Sequence, residues 1–307
     1  MHCVRLGSSF SVVFLCVPLS SDVFIAKVSA ENPDLIEYKA LSVEKVYFGN
    51  VDSTDSFFDS FRNSYTEFDR WFARKCDEEA YICRSDSNKI LGFLYLKTED
   101  VSENYSDIEP PFSPKRRLKV GTFKVESTGF RLGERFVKII FDNAQQRNVD
   151  EIYVTLFTDR GELVALEELL YRWGFVYYGI KHNGGKEEKV LVKFLHKIID
   201  NGTPKLNYPN ISHLCNKFIL PIMPQYHTTL LPDSQLNSEN RIDFLGREPH
   251  RYALQKVYIS WASTNGAKPG DLILFYRMGL PGENKKYKSV VSTIAICLLY
   301  TSDAADD

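Results

Sequence analysis

The residues with the clearest chemical pattern lie between a strand and a helix. Val120, Phe123 and Val125 carry β-type side chains, and Leu132, Phe136, Ile139, Ile140 and Ala144 then recur at helical spacing, making one apolar face. Gly129 and Gly133 bracket the turn between them. A strand feeding a helix through such a turn leaves the first helical N–H groups unpaired and converging on one spot, which favours a phosphate. The turn bracketed by Gly129 and Gly133 is therefore a candidate phosphate site.

The elements that must position this turn can be read on either side of it. Residues 40–50 alternate as a first strand. Thr66 is placed to cap a helix carrying Phe68, Trp71 and Phe72 on one face. Residues 81–83 and 90–96 read as two strands joined by a Ser-Asp-Ser-Asn turn, and residues 100–115 as a polar, Pro-rich loop ending in a short basic cluster. After the strand–turn–helix come a strand at 151–157 and a helix at 162–173 stopped by Gly174. A hairpin of residues 175–180 and 189–195 follows, turning at His-Asn-Gly-Gly.

This order, with the strand–turn–helix and the helix end Leu170-Tyr171-Arg172-Trp173-Gly174-Phe175, resembles the GNAT family of N-acetyltransferases over about residues 40–196. The family's pyrophosphate loop falls on Thr128-Gly129-Phe130-Arg131-Leu132-Gly133. Gly133 meets its last position, Thr128 stands at the first, and Arg131 replaces the usual middle glycine. An arginine there can reach a phosphate directly. The resemblance implies acetyl-CoA as cosubstrate. Its pantetheine arm would run along the Phe123 and Val125 strand edge and its pyrophosphate would sit on the turn's amides.

The reaction so implied is attack of an amine on the thioester. It needs a base, a main-chain N–H facing the developing oxyanion, and an acid for the departing thiolate. The family's frequent tyrosine position holds Leu170 here, and Tyr171 is one place along. Tyr171 is thus a candidate acid and Glu126, at the strand end, a candidate base or water-holder. His182 (in the hairpin turn) and His196 (near a linker) have no ligand-spaced partner and read as surface residues, and no metal is expected.

Residues 201–210 are turn-rich and mark a boundary. Beyond it, short strands at 218–220, 256–259, 272–276 and 289–296 suggest a small β-barrel. The Gly270-Asp271 pair before an apolar strand ending Tyr276-Arg277 is similar to the PUA-like superfold of the ASCH and EVE groups. That resemblance implies RNA or modified-base recognition, with Arg251, Tyr252, Tyr276, Arg277, Lys285, Lys286 and Lys288 supplying stacking and phosphate contacts. His227 and His250 are further polar candidates.

The expected fold class is α/β (α+β): a GNAT-type mixed central sheet flanked by helices, then an incomplete PUA-like barrel. The expected domains are residues 1–35, a leader or remnant of an upstream domain; 36–200, acetyltransferase; 201–296, PUA-like and truncated; and 297–307. The last stretch, CLLYTSDAADD, resembles a reading frame of a transposon-type sequencing adapter. The apolar run at 9–19 is too short to span a bilayer as a helix and reads as a buried strand.

A net charge of −2 over 307 residues gives no bulk attraction to nucleic acid. Six cysteines at irregular spacing, without CxxC, suggest neither a disulfide framework nor a zinc knuckle, which fits a cytoplasmic protein without membrane partners. Two readings stay open. One is an acetyltransferase acting on an amine of unknown class, carrying an RNA-reading module. The other is a non-catalytic acetyl-CoA sensor or nucleic-acid-binding protein built on the same folds.

Overall fold

The computed structural model describes residues 10–14, 43–85, 87–126, 132–157, 163–198, 202–211, 214–231, 234, 254–260, 266–279, 282 and 289–301. The chain divides into two compact units, Ala40–Lys197 and a second made of Met1–Lys39 with Ile198–Asp307. In chain order the strands are β1 (Phe10–Phe14), β2 (Val43–Tyr47), β3 (Glu79–Arg84), β4 (Ile90–Glu99), β5 (Ile108–Glu109), β6 (Arg117–Val125), β7 (Glu151–Phe157), β8 (Val176–Asn183), β9 (Lys186–Phe194), β10 (Lys217–Ile222), β11 (Lys256–Ser260), β12 (Leu272–Arg277) and β13 (Val290–Thr301). The helices are α1 (Asp59–Ser64), α2 (Phe68–Ala73), α3 (Leu132–Gln146), α4 (Val164–Arg172), α5 (Pro204–Asn207) and α6 (Pro224–Leu230).

The first unit is a mixed α/β structure on an eight-stranded sheet ordered β2-β3-β4-β6-β7-β9-β8-β5. Every neighbouring pair is antiparallel except β6 with β7, which α3 joins as a crossover. On one face α1, α2 and the turn before α1 plug the sheet with aromatic rings. Phe48, Phe57, Phe58, Phe68, Phe72 and Phe93 are all buried in one cluster. Each such burial contributes about 1.5–3 kcal/mol, enough to hold helices too short to persist alone. Thr66 does not cap α2 as expected: Glu67 is the N-cap, without a capping side-chain bond.

The other face is covered by α3. Its buried side chains are Leu132, Phe136, Val137, Ile140, Phe141, Asn143 and Ala144, a broader face than the expected one, while Ile139 is only half-buried. Asn143 is tolerated there because its amide donates to Tyr81 Oη at 2.9 Å and to the Ile139 carbonyl at 2.8 Å. The end of α4 is as expected. Gly174 sits at φ 78°, its N–H bonds the Tyr171 carbonyl, and the Phe175 N–H reaches back to Leu170. This left-handed glycine cap turns the chain into β8 and buries Trp173 and Phe175. His182 lies within β8, opposite Glu187, rather than in the turn, which Gly184 and Gly185 make.

The second unit contains a five-stranded sheet ordered β10-β12-β13-β1-β11. Leu220, Ile222, Ile273, Phe275, Ala295 and Cys297 form its core. β10 and β12 are parallel, and the remaining pairs are antiparallel. β13 uses its first part to pair with β12 and its last part, from Cys297 on, to pair with β1. Among the described residues β10 and β11 are edges with no ladder joining them, so these strands form an open sheet and not a closed barrel. No helix among the described residues is long and apolar enough to cross a membrane.

Candidate active site

β6 and β7 run side by side for only part of their length. Their ladder covers Arg117↔Glu151, Leu118↔Ile152, Lys119↔Tyr153 and Val120↔Val154, and no pairing follows. At that point β6 carries a bulge: Tyr95 of β4 faces Thr122 while Leu96 faces Val120, leaving Gly121 as the extra residue. A bulge bends its strand and increases its twist. Beyond Val120, β6 is bonded to β4 on one side only, so the main-chain edge of residues 121–125 that faces β7 is left without a strand partner among the described residues.

A cavity of about 1110 Å³ lies along this opening, within the first unit. Residues 121–125 of β6, with Glu126 just beyond, and 154–157 of β7 line it from the two sides of the split. On the α3–α4 side its walls are Leu132, Gly133, Leu166 and Leu169, with Glu134 and Arg172 as charged members. On the α1–α2 side they are Tyr65, Trp71, Thr155 and Phe157, with Lys97, Lys119, Lys181, Asn183 and Glu188.

Glu188 is the buried carboxylate of this chamber, 2% exposed. Its Oε1 accepts from Tyr65 Oη and from Asn183 Nδ2, both at 3.2 Å. β9 places it there, because Glu188 shares a face with Val190 and Val192, which are wholly buried. That alternation is visible in the sequence as an acid in register with two valines. Burial first, then the neighbouring ammonium groups of Lys181 and Lys97, hold Lys119 below the ordinary lysine value, against the pull of Glu99. Glu99, itself 2% exposed, is held ionised against the cost of its burial by Lys119, Tyr153 and Lys97. Tyr153 Oη donates to it at 2.7 Å, and its own ionisation is pushed far up by burial.

The expected site residues are only partly brought together. Phe123, Val125, Leu132 and Gly133 line the cavity, and Phe123 packs edge-on against Phe136. Thr128, Gly129, Phe130 and Arg131 lie outside the described residues. Gly133 has a packing role, since a Cβ there would stand 2.7 Å from Leu169 Cδ2. Glu126 lines the cavity as an exposed carboxylate, paired to Lys124 at 2.8 Å and Lys89 at 3.8 Å. Tyr171 does not line it: the ring is 38% exposed on α4 and its hydroxyl donates to Glu167 at 2.9 Å. Burial, then that bond, pushes Tyr171 up to about 12.

In the second unit, Arg251, Tyr252, His250, Lys285, Lys286 and Lys288 lie outside the described residues. Tyr276 is half-buried. Arg277 is 4% exposed, too deep to reach a phosphate from the surface. His227 is fully buried, with Nε2 2.6 Å from Ser292 Oγ. No group of His, Cys, Asp and Glu able to hold a metal occurs among the described residues.

No protein-family model matches the chain, and no curated protein matches it. Among solved structures, the chain is similar to the NatC complex bound to Gag peptide and CoA, at 17% identity over 50% of this chain and 99% of that one, with a TM-score of 0.34. It is similar to a GNAT family acetyltransferase from Elizabethkingia anophelis with acetyl-CoA bound, at 12% identity over 51% of this chain and 99% of that one (TM-score 0.37). It is also similar to Ard1 from Thermoplasma volcanium, at 12% identity over 52% and 99% of the two chains, again with a TM-score of 0.37.

Proposed function

We propose that the Ala40–Lys197 unit is a GNAT-type N-acetyltransferase that moves an acetyl group from acetyl-CoA to an amine. The observation that carries this reading is the split between β6 and β7: a cavity runs along it, with an unpartnered main-chain edge on one side and a buried carboxylate in the chamber beyond. The edge of residues 121–125 fits the amide-bearing arm of CoA, which extends a sheet as a peptide strand would. Leu166, Leu169 and Gly133 offer the arm an apolar wall, and Arg172 offers its phosphates a cation. When bound, the cosubstrate supplies an activated acyl carbon as a thioester.

The chain's own residues then have separable tasks. Glu188 holds the acceptor's ammonium and takes its proton, fixed in orientation by Tyr65 and Asn183. Main-chain N–H groups of the β6 edge would face the carbonyl oxygen as the C–N bond forms and the C–S bond breaks, the thiolate leaving as the thiol with a proton from water. Tyr65, Trp71 and Phe157 keep the chamber apolar around that step.

Calorimetry with acetyl-CoA, followed by thiol release over a panel of amines, tests the reading. Binding together with amine-dependent thiol release is expected, and absence of binding overturns it. A second reading, acetyl-CoA sensing without turnover, is favoured by one observation: Tyr171 stands off the cavity and Leu170 occupies the buried position beside it. Binding without thiol release on any amine selects that reading.

A further inference from the structure

Three lysines line the acceptor side of the cavity, and the carboxylates that balance them do not. Lys97 pairs with Glu99 at 3.1 Å and Glu103 at 2.9 Å, Lys119 with Glu99 at 3.7 Å, and Lys181 with Asp107. Glu99, Glu103 and Asp107, which hold these ammonium groups, are all absent from the cavity wall, and Lys119 has the longest of the pairs. Burial, then Lys181 and Lys97, disfavour the charged form of Lys119, while Glu99 and Asp107 favour it. A buried, loosely paired ammonium at a cavity wall is relieved by an anion entering beside it.

The chamber's acidic pole is Glu188. Lys181 and Glu188 are direct cross-strand partners on β8 and β9, so the two poles start from adjacent backbone positions. Lys181 reaches to Asp107 and Glu188 is held by Tyr65 and Asn183. A ligand fitting both poles has a cationic amine a short distance from an anionic group. A polyamine or an aminoglycoside offers only cations and meets the lysines as a repulsion.

We infer that the acceptor is a small amine carrying its own anionic group, a carboxylate or a phosphate, read by Lys119 and Lys181 while Glu188 receives the amine. This rests on the acetyl-transfer reading above and narrows its substrate class.

Thiol release by the full chain, with saturating acetyl-CoA, tests it on matched pairs. Phenylalanine against phenethylamine reports on a carboxylate, and glucosamine 6-phosphate against glucosamine on a phosphate, with spermidine as the all-cationic member. The anionic member of one pair is expected to lead by ~tenfold or more in kcat/KM, mostly through KM, as a charged hydrogen bond warrants. Lys119→Gln and Lys181→Gln should each erase the preference and leave calorimetric affinity for acetyl-CoA within about twofold. A lead for phenethylamine, glucosamine or spermidine overturns the inference, as does a preference that survives both substitutions. Should acetyl-CoA bind without any thiol release, acetyl transfer fails separately, and thermal shift with inorganic phosphate still decides the anion site. Stabilisation of the wild type that both variants lose supports it; equal shifts in all three proteins sink it.

Discussion

Tyr65 Oη donates to Glu188 Oε1 at 3.2 Å across 123 positions of sequence, tying the end of α1 to the hairpin strand β9. The bond gives a single carboxylate a fixed orientation in a chamber whose other walls are aromatic and basic. Glu188→Gln keeps the shape and the Asn183 neighbour but removes the proton acceptor. Amine-dependent thiol release should fall by ~10²–10³-fold, with the melting temperature nearly unchanged. Tyr65→Phe should cost less, about 3–10-fold, by loosening the carboxylate without removing it. Steady-state kinetics on both variants decides the ranking, and equal losses would show that Tyr65 itself is in the reaction.

Lys193 gives a prediction about stability and pH. The side chain is wholly buried in β9, and burial pushes it down to about 7. Phe141, whose ring centre is 5.9 Å from Nζ, compensates little of that cost. The folded protein therefore binds fewer protons here than the unfolded chain between about 7 and the ordinary lysine value near 10.5. The cost is in full force below about 7, shrinks as pH rises through that window, and is gone above it. Lys193→Met should raise stability at pH 7 by on the order of a few kcal/mol and flatten the rise between pH 7 and 10. Urea unfolding at several pH values measures both.

Gly133 makes a poor reporter of phosphate binding, because its neighbour is Leu169. Gly133→Ala places a methyl 2.7 Å from Leu169 Cδ2, the movable end of that side chain, and should cost about 1 kcal/mol through overpacking between α3 and α4. Leu169→Ala in the same chain should recover most of that loss relative to Leu169→Ala alone. A double-mutant cycle by thermal or urea unfolding checks it, and additive losses would place the glycine's role elsewhere.

Arg277 separates a nucleic-acid role for the second unit from a structural one. At 4% exposure it packs within the sheet's interior, so Arg277→Ala should lower stability by ~1–3 kcal/mol, through the buried volume it leaves empty. RNA retained by the purified protein, if salt releases it, should be unaffected once folded material is compared. A selective loss of RNA with unchanged melting would restore the surface reading.

Much of the first unit was legible in the sequence. The alternation in β6, the apolar spacing of α3 and the glycine after α4 are local signals, each set by a few adjacent residues. The chamber was less legible, since Tyr65, Lys119, Lys181 and Glu188 come from four separate elements and meet only through sheet pairing. Glu188 left one trace, its register with Val190 and Val192. Ile139 was misjudged because α3 packs on the sheet and touches α4 as well, which rotates and widens its buried face. In the second unit the strands were readable singly. Nothing local announces that Phe10–Phe14 pairs with both β11 and β13, because that pairing joins residues more than 200 positions apart.

The parting of β6 from β7 means that the first unit's sheet is unfinished on its own. An extended molecule with amide groups, seated along residues 121–125, would act as a further strand and satisfy main-chain groups that no strand among the described residues pairs. Such an occupant is a building material of the fold as much as a reactant, so this unit's resistance to unfolding should climb with the logarithm of its concentration once the site is saturated.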